Sequence, residues 1–596
     1  MCNSREYRNL QAQEISLLES LGNFADNWNQ VWVSDEFCCQ MVRNNSFYGT
    51  VRIGRIGSST IADADEMNWP IGIYGSMLRD CTIGDYCAIH NVGLLRGYTV
   101  GNMACLVNID EMTYDSTGVT YLEPMNECGG RRIIAFPGMR VGDAYLWAKF
   151  RDHKVMVEKL DAMTRRLIEG RDGMVGDCAV VANTKMVRDV DIESTEMEPS
   201  LIRNCVCLDA GVISPGCRLT NGIIAERFAL GENVKLEKGL RLYDTVVGDN
   251  STLACCEVGC NIIFPAHEQH HNHSFLIASV VMGQSNVAAG CTIGSNHNGR
   301  TADNEIVAGR GFWPGLCSSF KHSSRFASYC LLSKAAYPYE LDIKLPFALV
   351  NNNEAENRLE VMPAYWWMYN MYALDRNGRK FAARDKRTYT RQNIEFQPLA
   401  PDTAEEIIHG IKLLRQWMEE STGTEVYGKG IEKGKRKCLI LKAAEAINAY
   451  EDMLIYYAMQ TMEGHEDTIG LTYDGDREKR WVNLGGQLVG GECLDQLIED
   501  IEEGRLASWD DIHLRMDKLW EQYPTMRYIH AYSILCELES TDCINDSIWT
   551  KLMLRYEEIK QYVADQVRIT REKDNKNPFR QMTYDTLEEM EAVLGN

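Results

Sequence analysis

Six of the chain's twelve histidines fall between residues 267 and 322: His267, His270, His271, His273, His297 and His322. Neutral imidazole is the side chain best suited to move a proton near pH 7, and it is a common ligand for zinc-like metals. Two chemistries follow from the spacing. HEQHHNHS places His267, His270, His271 and His273 beside Glu268 on one short stretch, a set that could converge on a metal ion and leave a place for water. Farther on, SNHNGR sets His297 between Asn296 and Asn298, which gives an imidazole base amide donors on either side for an oxyanion. His271 and His322 are the reserve candidates for that base. Arg300, Arg310, Lys321 and Arg325 offer cations for a phosphate, and Trp313 completes the candidate substrate contacts.

The elements that must position these residues are written in a beat of six. Ile71, Met77, Ile83, Ile89 and Leu95 are evenly spaced; the beat slips by one to Val100 and resumes at Leu106. It recurs at Val175, Val181 and Val187, at Leu230, Leu236 and Leu242, and at Val281, Val287 and Ile293, often with glycine after the aliphatic residue. A helix beats at about 3.6 and a strand at about 2, so neither explains this period. A prism with three short flat faces does. Each face turns one aliphatic side chain inward and ends at a corner that needs a small or positive-φ residue, hence Gly, Asn or Asp. A narrow interior of this kind suits cysteine as filler and has little room for imidazole, so the histidines are expected in loops or on an exposed face. The 21 cysteines include no CxxC pair, and they read as reduced thiols rather than as a zinc ribbon or a disulfide scaffold.

Sequences with this hexad pattern resemble the hexapeptide-repeat, left-handed parallel β-helix family, an acyltransferase-like superfamily with large bacterial members. The resemblance spans roughly residues 50–350. It implies a parallel β-solenoid and a homo-oligomer, a trimer in many members. In the sugar O-acetyltransferases of the family, a loop with an Asn/Thr-His pair precedes the final coils and a Pro-containing exit segment follows. The matching stretches are SNHNGR and SKAAYPYELDIKLPFALV, so the resemblance gives His297 the role of general base. It implies acyl-coenzyme A as co-substrate and a small, phosphorylated sugar or amino-sugar as acceptor. A gamma-type carbonic anhydrase builds a three-histidine metal centre on the same solenoid, which makes a metal-dependent hydrolase or lyase the alternative. Its histidines come from neighbouring coils, whereas no His-x4-His occurs here. A sugar-phosphate or nucleotide-sugar enzyme, or a binding scaffold, is the third reading; no glycine-rich phosphate loop follows a strand in this chain.

The expected architecture is a β-solenoid plus an all-α region. It comprises an N-terminal helical cap (1–45), a left-handed β-helix (46–350) with a helical insertion at about 111–173, an aromatic and basic connector (351–400) and a C-terminal α-helical domain (401–596). DAYLWAKFRDHKVMVEKLDAMTRRLIEG reads as one long helix of the insertion, and the tyrosines and tryptophans of AYWWMYNMY as a docking surface for the next domain. The basic run RNGRKFAARDKRTYTR suggests either a phosphate ligand or, preferably, ion pairs with the acidic helical domain. A net charge of −23 disfavours nucleic acid as a partner. No stretch is long and apolar enough to span a membrane, and the start of the chain lacks a signal pattern, so a cytoplasmic protein acting on a small molecule is expected.

Overall fold

A computed structural model describes residues 7–62, 67–127, 129–294, 304–464, 477–573 and 576–594. The hexads wind a parallel β-helix of the left-handed type, joined to a helical C-terminal region. Along one face Cys207 pairs with Ile224 and Ile224 with Arg241; along another Arg218 pairs with Lys235 and Lys235 with Thr252. Stacked residues are therefore 17 apart, as Asn204 and Asn221 are. A coil holds two steps of six and one of five, which makes the slip at Val100 a regular feature. Leu208 to Ile213 and Leu242 to Val247 are the same short step. The inward column is dry: Leu208, Ile213, Leu219, Ala225, Leu236 and Leu242 are all 0% exposed.

Corners carry the strain of this winding. Asn204, Asn221, Asn233 and Asn250 take φ between +53° and +65°, a region open to asparagine but costly for most L-residues. Their side chains also tie coil to coil: Asn204 Nδ2 donates to Asn221 Oδ1 at 3.0 Å and Asn233 Nδ2 to Asn250 Oδ1 at 2.8 Å. Cysteine is core filler, as expected. Cys205, Cys217, Cys256 and Cys291 are buried, and burial pushes the Cys205 and Cys256 thiols up to about 12, so both stay protonated.

Helix α1 (Ala12–Ser20) precedes a first coil that already begins at Phe24, paired in parallel with Ser46. The insertion holds two helices where one was expected, α2 (Val141–Lys149) and α3 (Lys154–Ile168), broken around Phe150–His153. Helix α2 lies against the solenoid's flank, where Tyr145 packs edge-on to Phe264 at 5.1 Å, and α3 against the C-terminal helices, where Trp509 Nε1 donates to Thr164 Oγ1 at 2.8 Å. Past the last coil, Leu349–Asn353 folds back on Arg358–Met362, and Cys438–Ile440 pairs in parallel with that strand, which stitches the helical region into one solenoid face.

The helices that follow include α4 (Tyr365–Tyr369), α5 (Met371–Arg384), α6 (Pro401–Glu420), α7 (Ala443–Met462), α8 (Gly491–Glu503), α9 (Trp509–Glu539) and α10 (Asp546–Glu572). The aromatic cluster is the docking surface its composition suggested: Trp366 meets Trp313 at 5.7 Å, and Trp367 meets Tyr456 at 5.6 Å and Tyr562 at 6.3 Å. The basic run has a different partner from the one its charge suggested. It pairs with the solenoid wall: Lys380 and Arg384 with Glu268, Arg387 with Asp249, and Arg391 with Glu193 at 2.9 Å. Glu232 and Asp249 sit one coil apart in that wall, and burial together with the charge of Asp249 pushes the Glu232 carboxyl up to about 7. Among the described residues no helix is long and apolar enough to cross a membrane.

Candidate functional site

Coil register builds the wall of a cleft. Val280 pairs with Val307, Val307 with Arg325, and Arg325 with Asp342, so four successive coils present one outward column. The end of α2 stands on one side of this column, the first turns of α6 on another, and Trp481–Asn483 closes it. The cleft holds about 530 Å³, within the range of small-molecule sites.

Helix α6 faces the cleft because its sequence writes a stripe there. Pro401 opens it, where a missing N–H costs nothing, and Thr403 Oγ1 accepts from the Ala400 amide at 3.0 Å. Asp402, Glu405, Glu406 and His409 then recur at three- and four-residue spacing and all line the cleft. Asp402 is locked by Arg310, whose Nε and second guanidinium nitrogen each donate at 2.8 Å; the same guanidinium donates to Gln284 Oε1 at 3.1 Å and to the Gln397 carbonyl at 2.9 Å. Glu405 accepts from Arg477 at 2.6 Å and from His530 Nε2 at 3.1 Å, and His530 Nδ1 accepts from the Tyr457 hydroxyl at 3.0 Å. Burial acts to raise the Glu405 carboxyl, but the hydrogen bonds from His530 and Arg477 outweigh it and hold the group below its ordinary range.

Glu406 is the opposite case. It accepts from the Ser328 amide at 3.0 Å, while burial and then the charge of Asp402 push its carboxyl up to about 7. Neighbouring carboxyls whose environments drive them apart are the pattern of an acid–base site: one stays ionised and the other exchanges its proton near neutrality. Around them stand Lys149, Arg325, Lys344 and Lys479. The cleft can therefore bind a small anionic molecule and transfer a proton to or from it.

Of the residues singled out by sequence, Arg310 and Arg325 reach this cleft, and Arg310 is engaged by Asp402. Lys321 pairs with Glu340 at 3.2 Å, and Trp313 packs into the aromatic cluster. These side chains leave one coil on different faces of the prism, which is why nearness in sequence does not bring them together. Asn296, His297, Asn298 and Arg300 lie outside the described residues.

The histidines of HEQHHNHS are split because the short strand Glu268–Gln269 ends there: His267 lies on its inward side, and the chain after it turns out to solvent. His267 points inward at 0% exposure, with Nδ1 at 2.8 Å from Ser285 Oγ and Nε2 at 3.3 Å from Gln269 Oε1, and burial pushes it down to about 4. His270, His271 and His273 are exposed. The four therefore do not surround one point, and among the described residues no group of three His, Cys, Asp or Glu could hold a metal. His322 is also interior, its Nε2 at 3.3 Å from the Ile277 carbonyl. The solenoid thus does admit imidazoles, provided that a hydroxyl, an amide or a carbonyl meets them. Glu406, Asp342, Lys149 and His409 were not singled out by sequence; the only signal was the acid-rich stripe that opens α6.

Residues 7–191 and 169–418 match the family model described as "Domain of unknown function (DUF4954)", and residues 431–569 match that described as "Domain of unknown function (DUF6819)". A Treponema pallidum (strain Nichols) protein named "Uncharacterized protein" is 40% identical over 660 aligned residues, which cover 99% of this chain and 90% of that one.

Proposed function

The chain belongs to the family described as "Domain of unknown function (DUF4954)", and from that premise we propose that it is a small-molecule transferase whose site is the cleft between the solenoid wall and α6. The solenoid's likeness to hexapeptide-repeat enzymes favours acyl transfer from a coenzyme A thioester to the hydroxyl or amine of a small, phosphorylated sugar or amino-sugar. In that reaction the acceptor oxygen or nitrogen bonds to the acyl carbon and the thioester C–S bond breaks. Glu406, as carboxylate, takes the acceptor's proton and returns it to the leaving thiolate. The observation that carries this reading is the Glu406 carboxyl, raised to about 7 and lining a cleft ringed by cations. His409, one turn further along the same stripe, also lines the cleft.

The test starts with a thermal-shift screen of coenzyme A thioesters and sugar phosphates, since a ligand that binds the native state raises its melting point by mass action. With the substrate in hand, Glu406→Gln is expected to lower turnover about 10²-fold or more while the far-ultraviolet spectrum stays unchanged. His297→Ala is measured beside it. Loss of turnover in His297→Ala with wild-type turnover in Glu406→Gln would move the base to the loop predicted by sequence and overturn this assignment.

A further inference from the structure

We propose that Lys149 and Arg325 form the phosphate-holding end of the cleft, so that the helical insertion supplies half of a binding site that the solenoid alone does not complete. The inference rests on the cleft being the substrate site, and it adds where and in what form the substrate's charge is held.

Lys149 is the last residue of α2 and lines the cleft. A lysine at a helix C-terminus ordinarily serves the exposed carbonyls there. Here Arg131 has taken that role: one of its guanidinium nitrogens donates to the Ala148 carbonyl at 2.9 Å and to the Lys149 carbonyl at 3.4 Å, and its Nε pairs with Glu305 at 2.5 Å. The Lys149 ammonium is left for the cleft. Arg325 enters from the solenoid column, and among the described residues no ion pair engages either side chain.

The two cations also work against each other. Burial, then the charges of Arg131 and Arg325, pull the Lys149 ammonium below its ordinary range. Glu305 and Asp152 offset this only in part, and like charges so held are relieved further by an anion. A phosphate monoester carries about −1.5 to −2 near pH 7, which two cations match. Arg325 brings a planar fork for two oxygens and Lys149 a point charge for the third. A nucleotide diphosphate would call for further cations, and of the other two cleft lysines Lys344 is drawn to Asp342 at 3.2 Å, which leaves Lys479 alone. A monoester seated at Lys149 and Arg325 leaves the rest of the molecule to extend toward Glu406.

Isothermal titration of the full chain with inorganic phosphate, glucose 6-phosphate and UDP-glucose tests this. Wild-type protein is expected to bind phosphate and the monoester, with Lys149→Met and Arg325→Met each weakening both at least ~10-fold. Lys149→Arg should recover most of the loss. Unfolding midpoints report that the variants are folded. Phosphate affinity untouched by both methionine variants, or UDP-glucose binding tighter than the monoester, overturns the inference. Those results leave the acid–base reading standing if Glu406→Gln still abolishes turnover. Conversely, intact turnover in Glu406→Gln with phosphate binding lost in Lys149→Met and Arg325→Met sinks that reading and keeps this one.

Discussion

The backbone amide of Ser328 donates to Glu406 Oε2 at 3.0 Å, and this bond holds the Glu406 carboxyl of α6 against the solenoid coil that carries Arg325. Position and proton affinity of Glu406 are thereby set by a single docking geometry: the amide fixes the carboxyl, burial raises it, and Asp402 raises it further. Arg310 sits beneath, anchored by Gln284 and Gln397, and keeps Asp402 from raising it more.

Stability should fall as pH rises through neutrality. Glu406 and Glu232 have folded-state values of about 7 against an ordinary 4.5, so in that window the folded chain holds more protons than the unfolded chain. Their contribution is fully present below about 4.5 and is lost as pH rises through about 7, at most roughly 3 kcal/mol for each group. Guanidinium midpoints measured from pH 5.5 to 8 should decline, and Glu406→Gln or Glu232→Gln should each flatten part of the slope. A midpoint that climbs over this range contradicts the assignment.

The pair of Arg310 and Asp402 is a docking bolt, with Arg310 2% exposed. Arg310→Met strands a buried carboxylate and should destabilise the chain by about 3–5 kcal/mol. The double variant Arg310→Met/Asp402→Leu should recover a large part of that loss, because it removes both charges together. Denaturation of the two single variants and the double closes the cycle. A double variant as unstable as the sum of the singles would show that the pair is not coupled.

Corner asparagines should be replaceable by glycine more readily than by alanine. Asn221 has φ +65° and accepts from Asn204 across the coil. Asn221→Ala loses the amide and keeps the left-handed penalty, an expected cost of about 1–2 kcal/mol. Asn221→Gly loses the amide alone and should denature closer to wild type. Equal midpoints for the two variants would mean that backbone strain at this corner is negligible.

What the residues determined unaided is the local rule of winding. Each inward Leu, Ile or Val and each corner Asn or Gly answers to neighbours five or six positions away, and even the slip at Val100 records the short step of a 17-residue coil. The docking role of Trp366 and Trp367 was legible for a similar reason, since large apolar rings side by side must be covered. The tertiary structure alone decided which side chains meet across coils and domains. His267, His270 and His273 crowd together in sequence, yet the first lies inward beside the strand Glu268–Gln269 and the others fall where the chain leaves that strand for an exposed turn. Arg387 and Arg391 found their partners in Glu232, Asp249 and Glu193 because the solenoid wall presents carboxylates along the path of the connector. Glu406 looks like any helix glutamate until α6 docks on Ser328; the charge of Asp402 one turn earlier is already written in the helix, but the burial that raises the carboxyl most exists only once the domains close on one another.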